Sequence, residues 1–248
     1  MNHNQSMARS SSLLKMFLGV WLTVIIVIAF AFPIVPHPQQ WNEFPVIPGL
    51  EQKARILFFH VPMSWTAVVA FIVSMILSIR YLVKKDLQDD IRASASAGLG
   101  LLFCILATVT GSIWAKFNWG SFWNWDPRET SLVILLLIYG AYFALRSAIE
   151  SDEKRATLSA VYAILAGVTV PFFIFIVPRI VASLHPEPIV NAEGKVHMNT
   201  TMLLVFLSSL AGFTALYFWI LSLKIRLSRL ELASEIRREH SSEIPHRG

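Results

Sequence analysis

The chemistry open to this chain rests on indole, imidazole and guanidinium groups, and they are unevenly spread. The 248 residues include eight tryptophans, seven histidines and one cysteine. Four tryptophans, Trp114, Trp119, Trp123 and Trp125, fall within twelve residues. The segment reads Trp119-Gly120-Ser-Phe122-Trp-Asn-Trp-Asp126-Pro-Arg-Glu-Thr130. A helix here would put Trp119, Phe122 and Trp123 on one face by i, i+3, i+4 spacing. That face either lies flat at a membrane surface, as an aromatic belt does, or offers a stacking platform to a large planar ligand. Asp126-Pro127-Arg128-Glu129 fits a helix start, with Asp at the N-cap, Pro at the first helical position and Glu at the third. Arg128 then points outward from the first turn, toward a lipid headgroup or an anion favoured by the helix N-terminus.

Of the histidines, His60 in Phe58-Phe-His-Val-Pro62 and His185 in Ser183-Leu-His-Pro186 sit in apolar settings beside a proline. One such histidine is most simply structural. Two at matching depth, flanking a tryptophan-rich loop, point instead to one metal held in a macrocycle from opposite faces. Neutral imidazole is the ligating form. His37 and His197 lie in more polar loops, and His3, His240 and His246 in the tails. Arg55 and Arg128 add positive charge suited to two carboxylates, such as macrocycle propionates. The lone Cys104 excludes an internal disulfide, a CxxC redox pair, a cysteine zinc site and covalent attachment through C-x-x-C-H.

These groups need a scaffold, and the composition defines it. Hydrophobic residues make up 55% of the chain and charged ones 15%, with mean hydropathy +0.57. Six apolar runs, 13–35, 57–79, 95–115, 129–146, 157–177 and 201–223, each approach the ~20 residues of a spanning helix. Strand alternation is absent. The expectation is an all-α integral membrane protein, 1–248 as one membrane domain of six transmembrane helices. The tryptophan-rich segment 114–130 lies at one face, and a basic tail follows from 224 to 248. The first run is longer than a signal-peptide core and reads as a retained anchor.

Lysine and arginine divide fifteen to six between the two faces, which places both termini in the cytoplasm. The outer face balances its six bases with six acids, so the whole net charge of +5 lies inside. This is a topology signal and not a nucleic-acid footprint. The span interiors carry no Asp, Glu, Lys or Arg, which argues for chemistry at a face and against an ion-coupled pump. In the tail, Glu231, Glu235 and Arg238 have helical spacing, fitting a solvated extension of the sixth helix or a contact with an ATPase subunit.

Trp119-Gly-x-x-Trp123-x-Trp125-Asp126 resembles the WWD signature of haem-handling proteins in cytochrome c maturation. Two outer histidines and six spans in about 250 residues resemble the CcmC branch, the haem exporter protein C family. The resemblance covers the membrane core, and the last 25 residues add nothing to it. It implies non-covalent haem b at the outer face of a bacterial inner membrane, with axial ligands at His60 and His185. The implied platform is Trp114, Trp119, Gly120, Phe122, Trp123, Trp125 and Asp126, with Arg55 and Arg128 on the propionates. It also implies delivery to the haem chaperone CcmE, work beside the CcmA, CcmB and CcmD subunits, contact with membrane lipid, and no catalysis by the chain itself. The tail of the motif, WNWDPRET, resembles instead the larger CcsA-type synthases, so a haem lyase stays open. A non-haem permease is the third reading.

Overall fold

The computed structural model describes residues 3–185 and 198–242. His197, Pro186 and the end of the tail from 243 lie outside the described residues. The described residues are all-α apart from one two-residue bridge, the class the apolar runs imply. Its helices are α1 (His3–Ala31), α2 (His60–Lys84), α3 (Leu87–Trp119), α4 (Pro127–Ser147), α5 (Asp152–Pro171), α6 (Val177–Ile180) and α7 (Thr200–Ser242). A 3₁₀ helix, Glu51–Phe58, leads into α2, and a π turn, Phe172–Ile176, joins α5 to α6. Among the described residues six stretches are long and apolar enough to cross a bilayer: Leu13–Ala31, Glu51–Lys84, Leu87–Trp119, Pro127–Ser147, Asp152–Ile180 and Thr200–Glu231. The protein is a multi-pass membrane protein. The basic tail continues α7 as helix to Ser242.

The helices run past the apolar stretches because their ends are capped by polar residues. Lys85 closes α2 in the left-handed conformation, and the Asp86 carboxylate accepts the Gln88 N–H at 2.9 Å to open α3. Small residues bring α2 and α3 together, as expected where lipid offers no hydrophobic drive between helices. Ala67, Ala70 and Ser74 meet a run of Ala, Ser and Gly from Ala93 to Gly100. The Ser74 hydroxyl donates to the Ala93 carbonyl at 2.9 Å and the Ser96 hydroxyl to the Ala70 carbonyl at 2.6 Å. With its proton so used, Ser96 accepts from the Tyr217 hydroxyl of α7 at 2.7 Å. Gly100 leaves room for the Phe71 ring, which stacks on Tyr139 of α4 at 3.6 Å between centroids. α5 likewise buries a small stripe, Ala156, Ser159, Ala160, Ala163, Ala166 and Gly167, with Gly167 against Met75 of α2.

Charges collect at the end of the bundle opposite the tryptophan-rich turn. Asp90 takes a bidentate pair from Arg146 of α4 at 2.6 and 2.9 Å, both side chains mostly buried. Asp89 meets Arg92 at 3.0 Å and Arg80 of α2 at 3.3 Å. Both acids sit in the first turn of α3, where the helix dipole also favours them.

The aromatic end has its own apolar cluster. Ile34–Val35 pairs in parallel with Phe44–Pro45, and Glu43 accepts the Gln39 and Gln40 N–H groups to shape the loop between them. Asn199, just before α7, donates to the Glu43 carbonyl and accepts the Met202 N–H. Phe44, Phe58, Ala29, Met202, Phe206 and Trp114 pack inside this cluster. At the end of α5, Pro171 cannot donate to the preceding turn. The π turn after it redirects the chain, so that residues 183–185 reach the start of α4.

Breaking the buried Asp90–Arg146 pair by Asp90→Ala leaves a buried guanidinium uncompensated. It is expected to lower unfolding free energy by about 3–5 kcal/mol. Replacing both residues with apolar ones of similar volume recovers most of it; unfolding titrations in detergent measure both.

Candidate functional site

The site is built where α3 ends and α4 begins. Gly120 takes φ +84° and donates its N–H to the Lys116 carbonyl, so the helix stops at Trp119. Residues 120–126 are therefore turn and extended chain. The condition for a single helical face of Trp119, Phe122 and Trp123 is not met, because the glycine ends the helix before Phe122. Phe122 and Trp125 are exposed, and Lys116 lies over the Phe122 ring at 5.6 Å. Trp123 meets Trp125 edge to face at 5.8 Å. Trp125 is held at φ 56°, a left-handed conformation costly for a bulky residue.

Asp126 then opens α4 as its N-cap, accepting the Arg128 N–H at 2.9 Å on Oδ1. Glu129 reaches back to the Asn124 N–H at 2.9 Å. The capping box is thus displaced by two residues and ties the tryptophan-rich turn to the helix it precedes. Capping is only part of what Asp126 does. Oδ2 also accepts the Ser183 hydroxyl at 2.9 Å and the Leu184 N–H at 2.7 Å. Oδ1 lies 2.8 Å from Nδ1 of His185. Burial alone would raise the Asp126 carboxyl; the bonds from His185, Arg128 and Leu184 outweigh it and hold the group well below the usual carboxylate range.

His185 is set among indoles. Its ring lies near-parallel to Trp114 at 5.9 Å and edge-on to Trp119 at 4.8 Å, and those two tryptophans meet edge to face at 5.0 Å. The Trp114 Nε1–H is buried without a hydrogen-bond partner among the described residues. His60 opens α2, and its Nδ1 lies 3.1 Å from the Thr110 hydroxyl. Gly111 makes room for that ring: a Cβ there would stand 2.9 Å from His60 Cε1. Thr110, Gly111 and Trp114 share one face of α3 about one turn apart, so a single helix face carries both imidazoles.

Hydrogen bonding assigns the tautomers. An ionised carboxylate only accepts, so Nδ1 of His185 carries the proton toward Asp126. Thr110 gives its own proton to the Leu106 carbonyl at 2.8 Å, so its oxygen accepts from Nδ1 of His60. Each ring thereby keeps Nε2 as its lone-pair nitrogen, the arrangement of a metal-ligating imidazole.

The structure therefore brings His185, Trp114, Trp119 and Asp126 together, sets His60 against the same face of α3, and leaves Arg128 half-buried at the start of α4. Phe122, Trp123 and Trp125 form an outer group beyond Gly120. Arg55 donates to the Ala29 carbonyl at the end of α1 and to Gln52. His37 is exposed on the loop after α1. Thr110, Gly111 and Ser183 were not singled out from sequence. Ser183 stood two residues before His185, but nothing in the spacing of Thr110 and Gly111 marks them as neighbours of a residue fifty positions away.

The family model described as "Heme exporter protein C" matches residues 2–241. The match runs into the basic tail, so residues 224–241 share in the family likeness, contrary to the reading that the last 25 residues add nothing. Curated relatives of the chain carry the name Heme exporter protein C. The one from Haemophilus influenzae is 30% identical over 212 residues, 86% of this chain and 81% of its own length. That from Rhodobacter capsulatus is 28% identical over 188 residues, 75% and 78% of the two chains. The Paracoccus denitrificans protein is 29% identical, also over 188 residues, 75% and 78%.

The packing at Gly111 gives a direct check. Gly111→Ala forces the His60 ring to move and is expected to cost about 1–3 kcal/mol. Gly140→Ala, where nothing lies within 4 Å, is expected to be neutral or to stabilise α4 by up to about 1 kcal/mol. Thermal unfolding of the two variants side by side reads the difference.

Proposed function

This chain belongs to the Heme exporter protein C family, and on that premise we propose that it binds haem as cargo and delivers it during cytochrome c maturation. The observation that carries the reading is the pair of imidazoles on one face of α3, each with Nδ1 engaged and Nε2 left as the free donor. That donor set suits iron held from two sides. The indole rings around His185 suit a flat macrocycle, and the orphaned Trp114 N–H supplies one unused donor beside it.

In this reading His60 and His185 are the axial ligands. Trp114 and Trp119 support the macrocycle, and Asp126 and Gly120 set the position of the supporting turn. The exposed Phe122 and Trp125 and the half-buried Trp123, beyond it, meet the haem edge or the partner that takes it. Arg128 and Arg55 serve the propionates; Arg55 keeps guanidinium N–H donors beyond its two bonds to Ala29 and Gln52. The only cysteine, Cys104, is buried in the bundle with its thiol toward the Leu132 carbonyl. A non-covalent haem b, which can be passed on, agrees with that.

The chain makes and breaks no covalent bond of the haem. It works in a bacterial inner membrane with its termini in the cytoplasm and the tryptophan-rich turn on the periplasmic side. It presents haem to the chaperone CcmE, beside the CcmA, CcmB and CcmD subunits. One feature favours a second reading: WNWDPRET, shared in type with CcsA-like synthases, which would make the protein a haem lyase subunit. Cross-linking separates them, since delivery captures a haem chaperone and synthesis captures a CxxCH apocytochrome.

Protein purified from haem-replete cells is expected to show a Soret band with a bis-imidazole spectrum. His60→Ala and His185→Ala are each expected to weaken haem retention on the order of tenfold or more. Unchanged haem content in both single variants and in the double variant would sink the ligand assignment.

A further inference from the structure

The two imidazoles have the same free nitrogen but unlike partners. His185 gives its Nδ1–H to a carboxylate that is 3% exposed, at 2.8 Å. His60 gives its own to a neutral hydroxyl at 3.1 Å. We propose that the two histidines are unequal ligands by construction: Asp126 makes His185 the retaining ligand of the haem iron, and Thr110 leaves His60 the yielding one. The proposal rests on the ligand pair put forward above.

The argument is one of donor strength and of anchoring. A hydrogen bond to an ionised acceptor is about twice as strong as one between neutral groups. By drawing on Nδ1–H it raises the basicity of the opposite nitrogen. Thr110 is a weak acceptor with no charge, and its proton is committed to the Leu106 carbonyl. Anchoring follows the same order. His185 is gripped by Asp126 and by the rings of Trp114 and Trp119, and its neighbours Ser183 and Leu184 bond the same carboxylate. His60 meets neutral acceptors, the Thr110 hydroxyl and the Ala107 carbonyl, and has a glycine behind its ring. An acceptor that brings its own iron ligand therefore displaces His60 first, while His185 keeps hold until the exchange is complete. Asp126 and Thr110 are positioning residues in this scheme, acting on the iron only through the imidazoles.

The test uses the full-length haem-loaded protein and its single-histidine variants. His60→Ala leaves His185 as the ligand, and His185→Ala leaves His60. Resonance Raman spectra of the ferrous forms are expected to show a higher iron–imidazole stretching frequency for His60→Ala. Asp126→Asn, which keeps the helix cap because Asn caps as well as Asp, is expected to lower that frequency. Haem retention is expected to favour His60→Ala over His185→Ala on the order of 10- to 100-fold. In the intact two-histidine protein, Asp126→Asn is expected to raise the haem reduction potential. Thr110→Val is expected to leave it near the parent value and to ease displacement of a ligand by cyanide, with Thr110→Ser restoring parent behaviour. Equal frequencies in the two single-histidine variants, or equal potential shifts for Asp126→Asn and Thr110→Val, overturn the asymmetry while leaving the ligand pair intact. A parent protein without a bis-imidazole spectrum overturns both.

Discussion

The carboxylate of Asp126 has both oxygens filled by groups from two distant parts of the chain, and the aromatic end of the bundle is organised around it. One oxygen caps α4 and meets the His185 ring. The other holds Ser183 and Leu184. Without this carboxylate the stretch after α6 has no polar tie to the bundle among the described residues before 185, and the imidazole at its end has no fixed tautomer. A buried charge is tolerated only when its hydrogen-bonding capacity is met. Here meeting that capacity assembles the site.

α3 supplies the matching surface. Its last turns carry Thr110, Gly111, Trp114 and Trp119, which between them touch both histidines. Trp114 also belongs to the apolar cluster that joins α1, the 3₁₀ helix and α7, so the indole that faces His185 is fixed by packing on its other side. Gly120 then divides the tryptophan-rich segment. Trp114 and Trp119 face inward with the histidine, while Phe122, Trp123 and Trp125 stay on the outer turn. The opposite end of the bundle does different work. Asp89, Asp90 and Arg146 lock α2, α3 and α4 together without touching the site, and polar caps let the helices extend beyond their apolar cores.

Much of this was legible before any coordinates. Six apolar runs announced the all-α membrane class, because hydropathy over about 20 residues is a sum of local terms that tertiary context changes little. Asp126-Pro-Arg-Glu announced the start of α4, because caps are local hydrogen bonds between near neighbours. His60 and His185 stood out because two imidazoles in apolar surroundings, flanking a cluster of indoles, are an unusual composition for a membrane face. The continuous helical face through Phe122 failed for an equally local reason, the left-handed Gly120, which was present in the sequence but read only as part of a motif.

The sequence by itself determined the membrane class and the start of α4, and it marked out the histidines and tryptophans of one membrane face, since each depends on composition or on neighbours a few positions apart. Only the tertiary structure decided how those residues are used. Asp126 and His185 are 59 positions apart, and His60 and Thr110 are 50. Their pairing follows from how α2, α3 and the redirected end of α5 pack, and no periodicity encodes it. That packing gives one imidazole a carboxylate and the other a hydroxyl. The reason is geometric: a hydrogen bond needs two groups within about 3 Å, and for groups so far apart in sequence only the folded bundle brings them that close.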